Sequence, residues 1–145
     1  MNQTLEYLLA RMAISDLPAR YCDNVWREDI EGLVSLFSDE GQFCGVFDGK
    51  KTVVSGRKDL FEFFSRAVNF KPRPYIHNHV VDIIDETTAF GRCHLDLRSA
   101  KKNMDWIGAG HYEDEYISIE GNWKFKSRYF EAIRLDELPD GINTD

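Results

Sequence analysis

The sequence is short of several things, and each shortage excludes a class of protein. There is no long apolar run: the N-terminal stretch MNQTLEYLLARMAISDL is interrupted by Glu6, Arg11 and Asp16, which fits neither a signal peptide nor a membrane span and leaves an amphipathic helix. There is no basic stripe either. A net charge of -7 and a pI near 5.1 argue against a nucleic-acid partner, whose phosphates are bound through clustered Lys and Arg. Cysteine is scarce: Cys22, Cys44 and Cys93 form an odd, widely spaced set without CxxC or Cys/His ligand spacing, so they read as buried thiols of a reducing compartment, the cytoplasm. No repeat, low-complexity segment or linker divides the chain.

What is there suffices for one packed domain over residues 1–145, with 43% hydrophobic and 13% aromatic residues. From Thr4 to Phe37 apolar residues recur at helical intervals: Leu5, Leu8, Leu9 and Met12, then Ile14, Leu17, Tyr21 and Val25, then Ile30, Leu33, Val34 and Phe37. This predicts three short helices, the second capped by Ser15 with Pro18 in its first turn. SDEG at 38–41 ends the helical part, QFCGVFDGKKTVVSG predicts a small hairpin about its DGK turn, and RKDLFEFFSRAV returns to helical spacing. After Pro72 and Pro74 the period becomes two. HVVDII, TAFGRCHLDL, WIGAGHYEDEYISI and NWKFKSRYFEAI predict four strands of an antiparallel meander. The acidic tail, residues 135–145, has little to bury and is expected to fray.

Helices first and a long curved antiparallel sheet after them predict an α+β fold in which the sheet wraps the N-terminal helices as a cone. A cone open at one end suits a small hydrophobic ligand. In an extended strand His77, His79, Val81 and Ile83 share one face, and Asn78, Val80, Asp82 and Ile84 the other. Asp82 marks the wet face, so both imidazoles are expected to look inward unless a bulge reverses them. The plainer alternative has one imidazole on a backbone carbonyl at the sheet edge and the other in solvent. No third ligand stands at recognisable spacing, so no metal site is expected. Asp114 is either a buried acid of the cone or a structural hydrogen-bond acceptor.

Three phrases carry a family resemblance: ARYCDNVWREDIEGLVSLFSDEG in the helices, HVVDIIDETTAFGR in the central hairpin, and GAGHYEDEYISIEGNWKFKSR in the last strands. With the order of elements, they make residues 5–134 resemble the SnoaL-like branch of the NTF2-like superfamily, close to bile acid dehydratase, scytalone dehydratase and ketosteroid isomerase. The resemblance implies a cone-shaped pocket, a homodimer, and in catalytic members an Asp–His pair with a Tyr that removes a proton beside a carbonyl. It places the tyrosine on Tyr21 and the aspartate on Trp26. It places the histidine on Pro74 or Tyr75, so either the register has slipped toward His77 and His79 or the histidine is lost. A second acid falls on Leu97, and Tyr112 is expected in the cone.

Two functions follow as expectations. One is a cofactorless lyase or isomerase for a cyclic or polyketide-like substrate, with His77 or His79 as the base and Tyr21 holding the enolate oxygen. Its pocket would be walled by Trp26, Val81, Leu97, Tyr112 and Asp114. The other is a non-catalytic binder of a small hydrophobic molecule, or an assembly partner resembling the small subunit of ring-hydroxylating dioxygenases. Trp26 and Leu97 speak for the second, because an imidazole base needs a buried carboxylate to fix its tautomer.

Overall fold

The computed structural model describes residues 4–139 and 142. Helix α1 (Leu5–Arg27) starts at Thr4, whose hydroxyl accepts the N–H of Tyr7, and stops at Glu28, where φ is 56°. It runs unbroken through Pro18, so the first two expected helices are one. A proline inside a helix costs about 3 kcal/mol through its missing N–H and ring clash. Here the ring is buried on the same side as Ile14, Leu17, Tyr21 and Val25, and tertiary burial outweighs the local penalty. Helix α2 (Ile30–Ser35) is capped by Asp29, whose carboxylate accepts the N–H of Gly32 at 2.9 Å.

Strands β1 (Phe37–Phe47) and β2 (Lys50–Ser55) form the expected hairpin. Its two-residue turn, Asp48 and Gly49, has φ of 52° and 76°, as a turn matching the right-handed strand twist requires. SDEG falls inside β1, where pairing skips from Phe37 to Gln42, so this stretch is a bulged strand start. Helix α3 (Arg57–Ala67) and a 3-10 turn at Val68–Phe70 lead into β3 (Pro72–Ile83), β4 (Thr88–Ser99), β5 (Asp105–Ile119) and β6 (Asn122–Leu135).

The six strands form one sheet in the order β2-β1-β6-β5-β4-β3, curved and unclosed, with β1 parallel to β6 and every other pair antiparallel. Helix α1 packs chiefly on β3. Two of its side chains donate to carbonyls of that edge strand, Arg11 Nη1 to Val81 O at 3.3 Å and Trp26 Nε1 to Pro74 O at 2.9 Å, which shields an edge that would otherwise invite pairing. Between helices and sheet lies an aromatic core that includes Phe37, Phe64, Phe125, Phe130, Tyr21, Tyr112 and Tyr116. Cys22, Cys44 and Cys93 are free and buried. Among the described residues of the tail, Leu138 and Ile142 are partly buried against the core and Pro139 is buried, apolar surface that the acidic composition masks. Residues 140, 141 and 143–145 lie outside the described residues. No described helix is long and apolar enough to cross a membrane.

Candidate functional site

A bulge in β3 decides where the histidines go. His77 pairs with His94 and Val80 with Arg92, leaving Asn78 and His79 opposite Cys93. Asn78 takes φ of 39° to make the extra step. One inserted residue reverses the alternation, so His77 lies on the outer face and His79 turns inward with Val81. The expectation that both imidazoles look inward is corrected accordingly. Outside, His77 Nε2–H donates to Asp96 Oδ2 at 2.9 Å and Trp106 Nε1–H to Asp96 Oδ1 at 3.0 Å. Those two donors, Trp106 foremost, hold the Asp96 carboxyl below its ordinary range.

Inside, four side chains form a polar chain. His79 Nε2 lies 3.0 Å from Tyr116 Oη, Tyr116 donates to Asp114 Oδ2 at 3.1 Å, and Asp114 Oδ1 stands 3.4 Å from Arg128 Nε. Since the phenol proton goes to the carboxylate, His79 donates from Nε2 and keeps its lone pair on Nδ1. Gly91 makes room, for a Cβ there would sit 2.8 Å from the Tyr116 ring. The side chains of Asp114 and Arg128 are wholly buried. The guanidinium lies 3.5 Å over the Tyr112 ring, 4.2 Å over Tyr21 and 4.8 Å over Phe125. Burial pushes Asp114 up to about 6 against the pull of Arg128. Burial also lowers His79, helped by Arg128 and Arg11. Burial alone would lower Arg128, but the charge of Asp114 keeps it firmly protonated.

Toward α3 the cone opens into a small hollow of about 70 Å³. Phe43, Phe47, Phe63, Phe64, Phe70 and Phe130 wall it, with Val25, Leu97, Pro72, Pro74 and Pro139. Among the described residues its titratable lining groups are Tyr21 and Tyr112, whose rings meet edge-on at 5.7 Å and which burial pushes upward. Of the residues singled out from the sequence, Tyr21, Tyr112 and Leu97 line this hollow, whereas His77, His79, Trp26, Val81 and Asp114 do not. Trp26 bonds the Pro74 carbonyl and meets Tyr75 edge-on at 5.4 Å. The positions that the resemblance assigns to the Asp–His pair do come together, then, and hold indole, pyrrolidine and phenol.

Arg128 escaped the sequence reading. Its signal was a charge sharing period-two parity with Phe130 and Ala132 in NWKFKSRYFEAI. Among the described residues no three His, Cys, Asp or Glu side chains are placed to hold a metal ion.

A sequence model of the SnoaL-like domain matches residues 6–129. No match is found among curated proteins. Among solved structures, Rv3472 from Mycobacterium tuberculosis, a protein of unknown function, aligns with TM-score 0.80 and 27% identity over 93% of this chain and 78% of that one. A scytalone dehydratase-like protein from Novosphingobium aromaticivorans aligns with TM-score 0.75 and 21% identity over 95% and 97% of the two chains. Hexachlorocyclohexane dehydrochlorinase LinA-type3 from Novosphingobium barchaimii aligns with TM-score 0.78 and 19% identity over 97% of each. The latter two are likenesses of fold. With helices, cone and family match all spanning nearly its whole length, this chain belongs to the SnoaL-like domain family.

Proposed function

We propose that this protein binds a small, cyclic, largely apolar molecule in the hollow between α1, α3 and the sheet, and that the hollow itself performs no proton abstraction. The lining carries the proposal: phenylalanine, proline and leucine walls, two neutral tyrosines and, among the described residues, no imidazole or carboxylate. Apolar walls with a few placed hydroxyls bind and orient a ring, but a base is needed to deprotonate one. Calorimetric titration with toluene and benzyl alcohol is the test. Ala67→Trp, which fills the hollow from α3, is expected to lower both affinities by roughly tenfold or more, about 1.4 kcal/mol, with the circular dichroism unchanged. Equal affinities in the two proteins would sink the proposal.

One observation favours a lyase or isomerase as a second reading. His79 is linked through Tyr116 to Asp114, which holds its tautomer as a base requires. The LinA-type neighbour is named a dehydrochlorinase, an eliminating enzyme. Turnover of an eliminating substrate that survives His79→Ala would end this version.

We also propose a homodimer formed on the outer sheet face, which exposes Tyr75, Val80, Phe90 and Trp106. Light scattering is expected to give twice the chain mass of 16.9 kDa, and Phe90→Glu the single mass.

A further inference from the structure

Three of the chain's four histidines stand in one row across the outer face of the sheet. His77 on β3 is opposite His94 on β4, His94 is opposite His111 on β5, and His111 is opposite Glu131 on β6. Neither the hollow nor the inner polar chain uses this row. His94 is exposed, and the His111 side chain keeps 27% of its surface open to solvent.

The members of the row differ in what holds them. His77 is engaged by Asp96 through Nε2. His94 Nδ1 lies 3.2 Å from Asn78 Oδ1 and 3.1 Å from its Nδ2, and His111 Nε2 lies 3.5 Å from Glu131 Oε2. Each of these two imidazoles is therefore held through one nitrogen by a group on the strand beyond it. The other nitrogens, Nε2 of His94 and Nδ1 of His111, have no hydrogen-bond partner among the described residues. The two rings face each other with centroids 6.4 Å apart, inclined at 60°. Directly opposite residues of an antiparallel pair bring their Cβ atoms to about 4.5–5.5 Å. An ion bonded to both imidazoles at about 2.0–2.1 Å from each nitrogen sets the ring centroids roughly 5–6.5 Å apart. The spacing on this face is already that of a chelate.

We propose that His94 and His111 form a two-histidine site for a divalent transition-metal ion such as zinc or copper, its remaining positions open to water. Neutral imidazole suits these ions. A histidine that ligates a metal gives its other ring N–H to an oxygen, which fixes the tautomer and aims the lone pair. Glu131 Oε2 can take that proton from His111 Nε2, and Asn78 Oδ1 from His94 Nδ1, so both lone pairs are left for the ion. Charge favours a cation here too. Asp82, Asp96, Glu113 and Glu131 lie along the same face, and Arg92, opposite Glu113, is drawn aside to Asp82 at 3.2 Å. Magnesium and calcium need oxygen ligands, which two imidazoles do not supply. The site lies on the face proposed above for a homodimer, so the test includes the Phe90→Glu protein, in which that face is expected to be bare.

The test is calorimetric titration of the full chain, wild type and Phe90→Glu, with zinc chloride, and with magnesium chloride for contrast. Zinc is expected to bind and magnesium not. His94→Asn and His111→Asn are each expected to weaken zinc binding roughly tenfold or more, and His77→Asn by less than about twofold. Binding by the Phe90→Glu protein alone would support the site and place it beneath a second copy of the chain. Should a histidine variant lose its circular dichroism, electron paramagnetic resonance of the wild-type protein with copper(II) reads the same site, as hyperfine coupling to two imidazole nitrogens. No zinc binding in either protein, affinity unchanged in the His94 and His111 variants, a loss as large in His77→Asn, or copper coupled to fewer than two imidazoles would overturn the proposal.

Discussion

Two titrating side chains in the polar chain pull stability in opposite directions. Asp114 has its carboxyl raised from 3.8 to about 6 by burial. The folded state therefore holds a proton that the unfolded state has lost, and this contribution is fully present below 3.8 and lost as pH rises through about 6. His79 is lowered from 6.5 by burial, so its contribution is full above 6.5 and lost as pH falls. Denaturant unfolding across that window is expected to show His79→Gln resisting acid better than the wild type and Asp114→Asn resisting it less. Parallel profiles for all three would contradict the assignment. The buried pair makes a second prediction. Arg128→Met alone leaves a buried carboxylate unpaired and is expected to cost about 3–5 kcal/mol at neutral pH, while Arg128→Met with Asp114→Leu recovers most of it, since well-packed apolar replacements of a buried ion pair are often neutral. An additive double variant would show that the two side chains do not interact.

The bulge in β3 is the feature of an element on which the site most depends. Asn78 at φ of 39° occupies left-handed space that asparagine tolerates and β-branched residues do not. Asn78→Val is expected to cost about 1–2 kcal/mol and to change the environment of His79, read by unfolding and by the imidazole NMR signals. An unchanged His79 spectrum would mean that the bulge does not depend on this residue. At the other end of β3, Trp26→Phe removes the donor to the Pro74 carbonyl, with an expected loss of about 1–3 kcal/mol for a half-buried acceptor left unpaired. Helix and strand periods were plain in the sequence, because apolar spacing reports directly on which face is buried. The bulge was not, because one residue in αL leaves no trace in composition, yet it reverses every side chain beyond it.

Across the whole molecule the cone is closed by parts far apart in the chain: α1 against β3, β1 against β6, and the tail at Pro139 against the mouth of the hollow. The parallel pairing of β1 with β6 joins residues nearly ninety positions apart and cannot be read from local pattern. All three cysteines lie inside this closure, and burial pushes Cys22 up to about 12 and Cys93 up to about 11. A thiol reagent is expected to modify none of them in the native protein and all of them in denaturant, with the reaction following unfolding. Rapid labelling of the folded chain would mean that the core opens locally.

The sequence by itself determined an α+β cone of helices and curved sheet, the hairpin at Asp48-Gly49, and the absence of an aspartate at position 26. Each depends on residue type and spacing within one element, where period and turn chemistry act locally. Only the tertiary structure decided that His77 and His79 part company, that Trp26 seals the edge of β3, and that Arg128 pairs with Asp114 beneath the aromatic wall. Those outcomes depend on which distant atoms meet after the sheet has curled, and burial, more than residue identity, then sets which groups are charged.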